Sequence, residues 1–88
     1  MSRARTKLPE GMEDLLDREW RYVINQTTLS RQDRFIATQY LIHGMAQVDI
    51  AAEMYNELGY EVHRNTIGRR LPGIIRKVER SARKMGMI

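Results

Sequence analysis

"QVDIAAEMYNELGYEVHRNTIGRRL", residues 47–71, decides how this chain is read. Its first half carries Val48, Ile50, Ala51, Met54 and Leu58 at helical spacing, so a helix begins near Gln47 with that row inward. Gly59 is the expected C′ residue, because glycine enters the left-handed backbone that ends a helix without steric cost. Ala51 and Ala52 sit mid-helix, where small side chains let a second helix cross closely. The second half supplies that helix. Val62 can plug the turn into the core, and Ile67 and Leu71, one turn apart, anchor the second helix against the first. A step of about 100° per residue then points Asn65 and Arg69 outward, with Thr66 and Arg70 on one flank and Gly68 on the other.

That outward face has the chemistry of base recognition. Asn can pair bidentately with adenine, Arg with guanine, and Thr can hold a phosphate or touch a thymine methyl. Arg64, Asn65, Thr66, Arg69 and Arg70 are therefore the candidate base-reading set. Gly68 would let the helix backbone lie close to a groove wall, and His63 serves as a weak cap or a phosphate contact. The runs "IAAEM", "LGYEV" and "NTIGRRL" resemble the helix–turn–helix of bacterial and phage transcription regulators. The likeness is to the longer-turned form of arginine-repressor-type and transposase domains. It spans residues 47–71 of the 88 and implies that the first helix supports while the second enters the major groove. The chain departs from that pattern in placing His63 where Ser or Thr usually caps, in its long turn, and in showing no β-hairpin wing after Leu71.

Downstream, Pro72 is expected either to end this helix or to open a last one. The last helix holds Ile74, Ile75, Val78, Ala82 and Met85 on one face, with Arg76, Lys77, Arg80, Arg83 and Lys84 around the rest. Upstream, Met12, Leu15, Leu16, Trp20, Val23 and Ile24 describe one face of a helix over residues 10–26, interrupted by residues 25–28. "SRQD" at 30–33 is an Asp variant of the capping box, opening a helix with Phe35, Ile36, Tyr40 and Leu41 inward that ends near Gly44. Only "YEV" at 60–62 could be extended, and nothing alternates with period two. The expected fold is all-α, a small bundle of about five helices containing the helix–turn–helix and no clear wing.

Eighty-eight residues allow one domain over 10–88, preceded by a flexible basic arm over 1–9. Cysteine is absent, which excludes disulfides, Cys-based zinc sites and thiol nucleophiles. No apolar run approaches the roughly 18–20 residues that span a bilayer, and the basic start lacks the apolar segment of a signal peptide. No membrane association and a cytoplasmic location are expected. The net charge of +4 is unevenly spread. Residues 10–61 carry four arginines against ten acids, whereas residues 62–88 carry eight Lys and Arg against Glu79 alone. Such polarisation is an electrostatic footprint for a polyanion. Arg3, Arg5 and Lys7 in the arm suit the minor groove or phosphates, and Arg76, Lys77 and Arg80 suit phosphates.

Asp49, Glu53 and Glu57 form a stripe better read as a solvated face than as a metal site, and it is open to a basic protein partner. His43 reads as helix-terminal surface, and Trp20 and the methionines as packing. With no Gly-rich phosphate loop and no Ser/His/Asp arrangement, no enzymatic activity, cofactor or metal is expected. Together these features point to a sequence-specific binder of double-stranded DNA, a small transcription regulator of a bacterium, phage or mobile element. One recognition helix reads only about four or five base pairs, so a homodimer through the helix over 10–26 is expected. Two alternatives are a phage small-terminase-like or transposase-like DNA-binding accessory factor, and a protein-interaction module using the acidic face.

Overall fold

A computed structural model describes residues 8, 9 and 11–88, so Arg3, Arg5, Lys7 and the expected helix start at Glu10 lie outside the described residues. The described residues form an all-α domain of four helices led by a 3-10 turn, with no strand among them. The Cα radius of gyration is 12.5 Å, close to the roughly 12 Å expected of a compact chain this long.

The N-terminal part differs from the single helix expected over 10–26. A 3-10 turn at Met12–Asp14 is followed by extended backbone at Leu15 and Leu16, and α1 runs Asp17–Gln26. Local hydrogen bonding explains the break. The Leu16 N–H donates to Glu19 Oε1 at 2.8 Å, half of a capping box that fixes the helix start one residue later. Met12, Trp20, Val23 and Ile24 still reach the core as expected, but Leu16 is left 50% exposed rather than inward.

Ser30 caps α2 (Arg31–Ala37), its Oγ accepting the Asp33 N–H at 3.1 Å. The helix continues as a π turn over Thr38–Ile42, with the His43 N–H bonded to Thr38 O five residues back. Thr38 Oγ1 donates to Arg34 O at 2.9 Å where the ladder widens. Ile36, Ala37 and Tyr40 are buried, while Phe35 and Leu41 pack at the margin.

α3 spans Gln47–Leu58, as the spacing predicts, and Gly59 ends it at φ 75°. The Gly59 N–H bonds Tyr55 O and the Tyr60 N–H bonds Met54 O, which satisfies carbonyls the helix leaves open. Ile50 and Met54 are fully buried. Val48, expected inward, is 51% exposed. Two residues from Ile50 is a rotation of about 200°, so Val48 lies nearly opposite the buried line.

The largest departure is α4, a single helix over Arg64–Lys84 where two were expected. Pro72 lies within it and does not end it. Ile67, Leu71, Ile74, Ile75, Val78 and Ala82 are all buried, and they hold one helical phase only if the helix is unbroken. Each large side chain among them gains about 1.5–3 kcal/mol on burial, so their sum exceeds the roughly 3 kcal/mol that an interior proline costs. α4 is the central element, packing against α1, α2 and α3. Gly86 closes it at φ 74°, with the Met87 N–H on Ala82 O and the Gly86 N–H on Arg83 O, a Schellman pair.

Candidate nucleic-acid interface

The turn over residues 59–63 delivers the chain to α4 through His63, whose backbone is extended and whose Nδ1 accepts the Asn65 N–H at 3.0 Å. Histidine thus does the work that Ser or Thr does in a standard N-cap. Val62, half-buried, packs against the core as the plug of the turn. The start of α3 reaches α4 at Gly68. A Cβ placed on Gly68 would sit 2.8 Å from Gln47 Oε1, so the space at 68 is taken by the side-chain amide of the first residue of α3. That is an internal reason for a glycine that the sequence alone pairs with a groove wall.

The buried row of α4 sets the direction of everything else on it. Asn65, Arg69, Arg76 and Arg80 are exposed and lie opposite Ile67, Leu71, Ile74 and Val78. Because the helix passes through Pro72, residues expected on two helices stand in one line. Arg69 and Arg80 are separated by about 16 Å along an axis about 31 Å long. Lys77 is exposed on the neighbouring row, behind half-buried Thr66 and Gly73. Arg64 is exposed in the first turn, but its phase falls above Gly68 rather than with Asn65 and Arg69.

Arg70 is placed differently from the rest of the base-reading set. Its Nη2 lies 3.0 Å from Asp33 Oδ1, and its Nη1 donates to Gln32 Oε1 at 3.1 Å. Its donors hold α4 to the first turn of α2, and the guanidinium is turned from the Asn65–Arg69 line. Asp33 Oδ1 is buried and has no aligned hydrogen bond, so charge attraction to Arg70 is what offsets its desolvation. In the last turns, Arg83 Nε and Nη2 both bond Glu79 Oε2, at 3.0 and 2.9 Å. The one acid of α4 is therefore taken up by Arg83, which leaves Arg69, Arg76, Lys77 and Arg80 facing solvent together.

A shallow groove of about 290 Å³ runs beside this row, lined by Asp33, Arg69, Arg70, Pro72, Gly73, Ile74, Arg76 and Lys77. Pro72 and Gly73 read in the sequence as punctuation, so their place in the site was hidden. The phase of Ile67, Leu71, Ile74 and Val78 across them is the signal that places them on a helix. Asp49, Glu53 and Glu57 lie on α3, Asp49 and Glu57 exposed and Glu53 half-buried, and no group of acids or histidines among the described residues could hold a metal ion. His43 is exposed at the end of the π turn. No helix among the described residues is long and apolar enough to cross a membrane. Neither family models, curated proteins nor solved structures give a match to this chain.

Proposed function

We propose that this protein binds double-stranded DNA in a sequence-specific manner, as a small transcription regulator of a bacterium, phage or mobile element. The observation that carries this reading is the exposed line Asn65, Arg69, Arg76 and Arg80 on one face of α4, opposite its buried row. A helix with this charge and this exposure suits the major groove, which admits one α-helix. Asn65 and Arg69, near the N-terminus, suit base edges, while Arg76, Lys77 and Arg80, exposed further along the helix, suit phosphates. α3 supports α4 from behind, and the His63 cap fixes where the helix begins. Arg70 serves the same end as a brace to α2 rather than as a base reader.

Selection of bound duplexes from a random pool, then titration of the selected site, tests the reading. Arg69→Ala is expected to weaken binding by about 1–3 kcal/mol and to relax the preference at one base position. Equal binding of Arg69→Ala and the parent to the selected site and to scrambled duplex would overturn the role given to Arg69. No binding to any duplex at low salt would overturn the DNA reading as a whole, since non-specific affinity is strongest there.

A further inference from the structure

Gly73 stands on the outward side of α4, one turn after Arg69 and one turn before Arg76 and Lys77, and all four line the same groove. A glycine in a helix interior weakens the helix, so its presence calls for a local reason. At Gly68 the reason is internal, because Gln47 occupies the space a Cβ would need. At Gly73 there is none: a Cβ built there meets nothing within 4 Å, and its φ is not in the left-handed region. The missing side chain creates an open notch in the helix surface, ringed by Arg69, Arg76 and Lys77. Arg70 and Asp33 also line the groove, but they neutralise one another across its wall.

We propose that this notch seats a backbone phosphodiester of the bound duplex, so that one DNA strand crosses α4 against bare backbone at Gly73. The proposal rests on the duplex-binding reading above and adds where on α4 the strand passes. A recognition helix that meets base edges through its N-terminal residues, here Asn65 and Arg69, leaves the groove floor as it proceeds, so the next turn, with Gly73, stands nearer the phosphates. There Arg76 and Lys77 supply charge, and the glycine allows closer approach than any side chain would. Arg80, two turns on, contacts the next phosphates of the same strand.

The test is Gly73→Leu, with Gly73→Ala as the smaller step and Arg76→Ala as reference. Both substitutions at 73 add a good helix former into open space, so thermal melting should show each at least as stable as the parent. Against a mixed-sequence duplex at low salt, Gly73→Leu is expected to bind about tenfold more weakly. Its dependence of log K on log salt should be shallower, because a Leu side chain that holds the strand off the helix also weakens the ion contacts that Arg76 and Lys77 make beside it. Gly73→Ala should fall between. If Gly73→Leu binds like the parent while Arg76→Ala binds weakly, the strand does not touch the helix backbone and the proposal is overturned. If inorganic phosphate raises the melting temperature of the parent but not of Gly73→Leu, and duplex binding of the two is equal, the notch holds a free anion instead. If the parent binds no duplex, the DNA reading fails first and this seat fails with it.

Discussion

Arg34 does more for this fold than any charge pattern in the chain suggests. Its Nη1 donates to Ile24 O at 2.6 Å, and its Nη2 to Thr27 O at 3.1 Å and Leu29 O at 3.4 Å. These carbonyls belong to the end of α1 and the loop after it, and helix ends leave such groups without partners. A guanidinium from α2 closes them together, in a fork geometry that an ammonium cannot reproduce. Thr27 completes the same end, its buried Oγ1 donating to Val23 O at 2.7 Å. Arg34→Ala is expected to lower stability by about 2–3 kcal/mol, because Thr27 O and Leu29 O lose their donor and Ile24 O keeps only the Thr27 N–H. Urea denaturation checks this as a lower midpoint at unchanged slope, and Arg34→Lys should recover only part of the loss. Among the candidate site residues, His63 and Arg70 carry structural bonds of their own, whereas Asn65 and Arg69 present exposed side chains.

At the scale of the element, α4 turns on Pro72. The proline removes the N–H that would bond Gly68 O and crowds that carbonyl, so the helix is weakest just there. It survives because α1, α2 and α3 hold both halves of its apolar face. Pro72→Ala restores the missing donor at an exposed position and is expected to stabilise the protein by about 1–3 kcal/mol. For a domain of this size each 1 kcal/mol moves the melting temperature by about 4–8 °C. A melting temperature that stays level or falls would mean that the surrounding helices are fitted to the proline and not merely tolerant of it. The same continuity merges the two groups of basic residues. Arg69 and Arg80 belong to one rigid rod, so their spacing on a duplex is set by helix rise and not by a hinge.

At the scale of the molecule, the large apolar side chains left exposed among the described residues lie off α4: Leu16 and Tyr22 at α1, Val48 and Tyr55 on α3, and Tyr60 in the turn after it. The basic row of α4 faces solvent, while Leu16 and Tyr22 on the α1 side are 50% and 56% exposed. If α1 forms the surface of a homodimer, Leu16→Glu with Tyr22→Glu should convert the dimer to monomer in sedimentation equilibrium. The melting curve of the monomer should stay nearly unchanged, since neither residue belongs to the core. A parent that is already monomeric, or a ring of many copies, would refute that arrangement. The all-α class, α3 with its Gly59 ending, the Ser30 cap and the outward phase of Asn65 and Arg69 were each legible from residue order, because periodicity and capping act over one or two turns. Local reading failed where a distant partner decides. Pro72 breaks a helix in isolation but not one whose phase is locked by three neighbours. Asp33 looks like half of a capping box until Arg70, far along the chain, takes its carboxylate. Gly68 and Gly73 are alike as letters, and only the position of Gln47 separates the glycine filled by a neighbour from the one left open. Residue order was enough to set most of the helices and the polarity of their faces. Packing was needed to make two of them one and to stand its cations in a single line, because burial of a shared apolar row outweighs the local preference of a proline.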